Sequence, residues 1–81
     1  MEDNWYVYIL RCRDDSLYTG IARDVEKRVA MHNRGIGAKY TRGRTPVVPV
    51  YREACQDKST ALRRELEIKA LSRQKKLELI G

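Results

Sequence analysis

Hydrophobic positions fall into short blocks separated by polar turns, and each block has its own period. Trp5 to Arg11 (WYVYILR) is apolar or aromatic at nearly every position, the pattern of a strand covered on both faces. Arg13-Asp14-Asp15-Ser16 is polar and turn-forming, and Leu17 to Ala22 resumes the strand signal, so the pair predicts a β-hairpin. A two-residue loop at Asp14-Asp15 would put Tyr8 and Tyr18 on opposite faces, because side chains alternate along strands. A three-residue loop, Asp14-Asp15-Ser16, puts them on one face, and Asp tolerates the left-handed conformation such a loop uses. The three-residue loop is expected.

The period then lengthens. Asp24 is a good N-cap for a helix running to about Arg34, with Gly35 as a natural stop. Val25 and Val29 give it an inward stripe, and Arg28 and His32, four residues apart, lie side by side along that stripe's edge. Residues 35–45 read as irregular. A third strand is expected over Val48 to Glu53; because Pro cannot donate to a ladder, Pro46 and Pro49 place it at the sheet edge or start it after Pro49. Asp57 or Ser59 can cap a long helix to about Leu71, and Ser72 can open a short last helix ending near Ile80. The predicted order is β-β-α-β-α-α, an α+β fold with helices packed on a single sheet.

Size and charge narrow the partners. Eighty-one residues make one domain that buries roughly 60–65% of its unfolded surface. No apolar run approaches the roughly 20 residues of a membrane span, and Met1-Glu2-Asp3-Asn4 is acidic without a secretion signal's apolar core. A cytoplasmic protein is expected. Cys12 and Cys55 lack a Cys-x-x-Cys or metal-ligand pattern, so each is expected to be a buried, reduced thiol. Seventeen Lys and Arg against eleven Asp and Glu give a net charge of +6, which favours a polyanionic partner, although solubility alone explains charges of this size in many small domains.

Glu65 is the most telling acid. On a helical wheel, Ala61 and Ile68 lie to one side of it and Leu62 and Leu66 to the other, which places it within the core-facing arc. A carboxylate there needs a cation, a hydrogen-bond network or a metal; Lys69, four residues on, supplies the plainest partner. Strand tyrosines are usually core aromatics with one wet end, but Tyr8 and Tyr18 can face the same way as Glu65. A phenol titrates near 10 and acts as a base near neutrality only where a cation such as Arg28 lowers its pKa. Taken singly, Arg28 is a surface arginine and His32 a solvated or capping histidine; taken together, they offer a phosphate fork and a group titrating near pH 7. Lys39, Tyr40, Arg42 and Arg44 combine charge with an aromatic, as nucleic-acid sites do, and Arg73, Lys75 and Lys76 form a weaker basic run.

With these residues in hand the chain resembles the GIY-YIG nuclease superfamily, in particular its small stand-alone bacterial group. The resemblance covers nearly the whole length: Val7-Tyr8-Ile9-Leu10-Arg11-Cys12, Leu17-Tyr18-Thr19-Gly20-Ile21, Arg28 then His32-Asn33, Ala38-Lys39-Tyr40-Thr41-Arg42, and Ala61-Leu62-Arg63-Arg64-Glu65. Two departures are Tyr6 where the family has glycine and Thr19 in the middle of the second motif. The resemblance implies a three-stranded antiparallel sheet flanked by helices and metal-dependent cleavage of DNA phosphodiesters; the leading expectation is a DNA endonuclease or a structure-specific nuclease serving repair or recombination. It implies Tyr18 as base or water-positioning phenol, Tyr8 as organiser of the site and Arg28 on the scissile phosphate. His32 stands at the nearby His or Tyr position, and Glu65 would hold Mg²⁺ or Mn²⁺. One carboxylate suffices for Mg²⁺, which keeps waters and takes phosphate oxygens. Asn33 is the nearest stand-in for an asparagine found late in some members. DNA is the expected partner, with RNA as an alternative, and DNA structure or a protein partner the expected source of specificity. The competing expectations are a nucleic-acid-binding module with a vestigial active site, and a small interaction protein in which Glu65, Arg28 and His32 form only structural pairs.

Overall fold

The computed structural model describes residues 4–81; the acidic start Met1-Glu2-Asp3, on which part of the localisation expectation rests, lies outside the described residues. Strand β1 (Trp5–Arg11), β2 (Leu17–Ala22), helix α1 (Val25–Asn33), β3 (Val48–Cys55), α2 (Lys58–Lys69) and α3 (Arg73–Ile80) follow one another in the predicted order. A 3-10 turn, Lys39–Thr41, interrupts the segment read as irregular. The sheet is antiparallel throughout with order β2-β1-β3.

The hairpin has the expected loop length and a different loop. Arg11 pairs with Leu17, the Cys12 amide donates to Ser16 O at 2.9 Å, and the Asp15 amide donates to Cys12 O at 2.9 Å, so the loop is Arg13-Asp14-Asp15. Asp15 has φ 68°. The last loop residue must turn left-handed, which Asp tolerates better than Ser; this moves the loop one residue towards the N-terminus. Parity is unchanged, and Tyr8 and Tyr18 share a face.

Strand β3 is an edge strand, as its prolines required, but it contains Pro49 and extends to Cys55. Ile9 faces Tyr51 while Leu10 faces Pro49, leaving Val50 as the extra residue of a bulge. There a missing amide proton is tolerated.

Central β1 is sandwiched. Tyr8, Leu10 and Cys12 pack with Ala22, Val25 and Val47 beneath α1. Val7 and Ile9 pack with Cys55, Ala61 and Ile68 beneath α2, where Leu79 and Ile80 of α3 join them. The two cysteines are thus free, buried thiols on opposite faces. Asp24 caps α1 through the Lys27 amide (3.0 Å), Asp57 rather than Ser59 caps α2 through Thr60 (2.8 Å), and Ser72 caps α3 through Lys75 (3.2 Å). Helix α2 stops at Lys69, short of Leu71.

The core arc of α2 differs from the expected one. Ala61 and Ile68 are fully buried, whereas Leu62 and Leu66 face solvent. The arc is therefore centred between Ala61 and Ile68, with Arg64 and Glu65 about 50° to either side of it. Arg64 reaches Glu53 of β3 at 3.1 Å, and Glu65 turns the other way, towards β2. Glu65 is a flank residue, not a mid-arc one.

Candidate active site

A cavity of about 320 Å³ opens at the β2 edge, lined by Tyr8, Tyr18, Gly20, Ile21, Arg28, His32, Gly37, Ala38 and Glu65. All five residues singled out for chemistry border it, although they come from both faces of the sheet.

Two glycines let its walls close. Gly20 stands opposite Tyr8 in the ladder. A Cβ there would lie 2.7 Å from Tyr8 Oη and 3.0 Å from the Tyr18 ring, so glycine alone allows both phenols to pack over this strand. A Cβ on Gly37 would lie 2.3 Å from His32 Nδ1, so the chain after α1 can fold over His32 only with glycine there.

His32 is fully buried, neither solvated nor capping. Its Nδ1 lies 2.8 Å from Thr41 Oγ1 and its Nε2 lies 3.1 Å from Tyr8 Oη. The Ala38 amide, which can only donate, lies 3.3 Å from Nδ1, so Nδ1 is the ring's acceptor and the proton sits on Nε2. The Thr41 hydroxyl stands between Nδ1 and Ala38 O, 2.9 Å from the latter, and Ala38 O also accepts from the Thr41 amide at 3.1 Å. Nε2–H then donates to Tyr8 Oη. The result is a buried network joining Tyr8, His32, Thr41 and the Ala38 backbone. Burial, and secondarily Arg28, holds the His32 pKa below its usual value, so the ring is neutral at neutral pH.

The phenols do not become bases through Arg28. Burial, reinforced by Tyr18, drives the Tyr8 pKa well above its ordinary value, with Arg28 opposing and Glu65 assisting. Burial also raises Tyr18, opposed by Lys69 and Arg28. Desolvation exceeds the pull of the cations because Arg28 is exposed to water, where its field is screened. Both tyrosines are neutral hydroxyls at neutral pH.

Arg28 has no acidic partner among the described residues and leans into the cavity. Glu65, its side chain 15% exposed, holds Lys69 Nζ at 3.1 Å, the partner that sequence spacing had offered. Asn33 is elsewhere: its side chain donates to Val47 O (3.1 Å) and accepts from the Val47 amide (2.7 Å), stapling α1 to the segment before β3. Tyr6 packs in the core under α1, away from the cavity lining.

The basic segment divides. Tyr40 stacks on Tyr18, ring centroids 5.9 Å apart. Arg44 covers Tyr40 at 4.1 Å and donates to Tyr40 O (2.6 Å) and Asp14 (3.1 Å). Lys39 and Arg42 project into solvent. Sequence reasoning missed Thr41 and Gly37, whose roles come from a turn that brings residue 41 back onto residue 32. It also passed over Gly20, which the second motif contains.

Among the described residues no group of three His, Cys, Asp or Glu side chains could hold a metal. A cage of protein ligands, as a structural zinc needs, is therefore not what this donor set makes. One carboxylate beside a roomy cavity fits a hard cation that keeps its waters. No helix among the described residues is long and apolar enough to cross a membrane.

Comparison with known proteins agrees with this architecture. A UPF0213 protein of Staphylococcus saprophyticus is 60% identical over 98% of this chain and 96% of its own length. One from Staphylococcus haemolyticus is 60% identical over 93% and 92%. The solution structure of the UPF0213 protein of Bacillus halodurans superposes with TM-score 0.61 at 52% identity, covering 95% of this chain and 82% of that one. A protein of E. faecalis gives TM-score 0.62 at 38% identity, covering 98% and 88%. The model of the GIY-YIG catalytic domain matches residues 4–78, and this chain belongs to the GIY-YIG nuclease family.

Proposed function

We propose that this protein is a divalent-metal-dependent endonuclease that hydrolyses DNA phosphodiesters. The observation that carries the proposal is convergence: Tyr8, Tyr18, Arg28, His32 and Glu65 border one cavity, and the Arg28 guanidinium has no acidic partner among the described residues. An unpaired Arg fork beside a cavity suits a phosphate. Tyr18 orients the attacking water with its neutral hydroxyl. Tyr8, fixed by His32 at 3.1 Å, holds its neutral hydroxyl at the cavity wall beside that water. Glu65 would hold Mg²⁺ or Mn²⁺ through one carboxylate oxygen and bound waters, and that ion supplies charge stabilisation at the phosphate oxygens.

The alternative, a nucleic-acid-binding module without turnover, draws on one observation: Lys69 already occupies a Glu65 oxygen. A labelled panel of single-stranded, duplex, flap and branched DNA, with a single-stranded RNA, decides between them. Each is incubated with Mg²⁺, Mn²⁺ or EDTA. Metal-dependent cutting of DNA that is lost in Glu65→Gln and reduced in Tyr18→Phe supports the nuclease. Salt-sensitive binding with no cutting under either metal would move the assignment to the binding module.

A further inference from the structure

A second groove, about 310 Å³ in volume, adjoins the candidate site and shares Tyr18 as a wall. Leu17, Thr19, Tyr40, Lys69 and Lys76 complete its lining. We propose that it holds the single-stranded nucleic-acid segment next to the bond bound in the first cavity, with Lys76 and Lys69 on its backbone phosphate and the edge of Tyr40 beside a base. This extends the nucleic-acid substrate proposed above and inherits that premise.

Three observations carry it. The first is continuity. A strand with a phosphate at Arg28 that runs past the Tyr18 ring enters this groove, because the ring separates the two spaces. The second is charge. Lys69 and Lys76 converge from different helices, α2 and α3, and among the described residues no acidic side chain lines the groove. Lys76 is half-buried and has no ion-pair partner among the described residues. Its stem packs along the groove wall while its ammonium has no counterion there, so a phosphate in the groove can take that charge. The third is the aromatic wall. Tyr40 is 40% exposed with its ring covered by Tyr18 and Arg44, so it gives the groove a fixed aromatic edge for a base to lie against. β2 is an edge strand with no strand on its outer side, so the groove floor is open to an extended chain. Lys69 has two possible anions, Glu65 at 3.1 Å and a phosphate in the groove; strand binding would draw it from the carboxylate.

The test is binding without chemistry. A fluorescein-labelled oligothymidylate and its RNA counterpart, oligouridylate, are titrated in EDTA by anisotropy over a series of salt concentrations. The proteins are wild type, Lys76→Ala, Arg28→Ala and Arg63→Ala. Arg63 is exposed on the outer side of α2 and lines neither cavity, so Arg63→Ala removes the same charge elsewhere. Lys76→Ala is expected to weaken binding about tenfold and to lower the salt slope by about 0.7, the single-strand value for one phosphate contact. Arg63→Ala should change affinity less than twofold. Equal losses in Lys76→Ala and Arg63→Ala would overturn the groove, while a loss in Arg28→Ala alone would still leave the first cavity as a phosphate site. Absence of binding to either oligonucleotide overturns it as well. Loss specific to Lys76→Ala in a protein that cuts nothing keeps the groove and removes only the nuclease assignment.

Discussion

Gly20 stands directly across the β1–β2 ladder from Tyr8, and a Cβ at residue 20 would come within 2.7 Å of the Tyr8 phenol oxygen. Tyr8 is buried and bonded to His32, so it cannot swing away cheaply. Gly20→Ala should therefore cost roughly 1–3 kcal/mol as an overpacked core does, and should reduce cleavage more than tenfold by displacing both phenols. Urea denaturation and the cleavage panel check this; a variant with unchanged midpoint and rate would show that the walls of the cavity are softer than their spacing implies.

Thr41 gives the sharpest test of the buried hydrogen-bond chain. Thr41→Val keeps the shape but removes the hydroxyl beside His32 Nδ1 and Ala38 O, an expected loss of about 1–3 kcal/mol. Thr41→Ser should retain most of the stability. Imidazole nitrogen shifts from NMR report the tautomer directly: with the Ala38 amide donating to Nδ1, the Nε2-protonated form is expected in wild type, and the Nδ1-protonated form would contradict that network.

Stability should depend on pH through one group in the mildly acidic range. His32 is the only histidine, and its folded pKa is depressed by burial and by Arg28. Its unfolded value is about 6.5. The unfolded chain therefore binds the proton first, so stability is full above that value and falls as pH drops through it towards the folded pKa. The lowered carboxyls, Asp14, Glu26 and Asp57, titrate in unfolded chains at about 4, below this window. Denaturant midpoints between pH 8 and 5.5 should decline on the acid side in wild type; a midpoint rising towards pH 5.5 would refute the buried neutral ring.

Arg28 separates function from stability. It is exposed and without an acidic partner among the described residues, so Arg28→Ala should shift stability by no more than about 0.5 kcal/mol. If Arg28 holds the phosphate during hydrolysis, the same change should lower kcat by about 10²–10³-fold. Arg28→Lys keeps the charge without the fork and should recover only part of the rate. An unfolded Arg28→Ala protein would mean the side chain is structural.

What was legible in the sequence was local. Block periods located the strands, Asp24, Asp57 and Ser72 marked the helix starts, and hairpin parity put Tyr8 and Tyr18 on one face. The misplacements came where two local rules competed. Asp15 rather than Ser16 takes the left-handed position, and Pro49 stays in the strand because a bulge relieves its missing donor. The arc of α2 was misjudged because Leu62 and Leu66 look like core residues until the sheet beneath selects Ala61 and Ile68. Thr41 was invisible because its contact with His32 depends on Gly37 and a turn, and hydrophobic periodicity registers neither.

Of the five residues singled out for chemistry at the first cavity, four come from the hairpin and α1, and the fifth, Glu65, comes from a helix packed against the opposite face. A chain that has folded only one layer of the sandwich can bury His32 and align both phenols, yet it has no carboxylate at the mouth. Whatever chemistry the cavity performs is thus withheld until α2 docks, and a partly folded copy meeting DNA is unarmed. Placing the site at an edge shared by two layers makes completeness of folding a condition of activity, without any dedicated regulatory element.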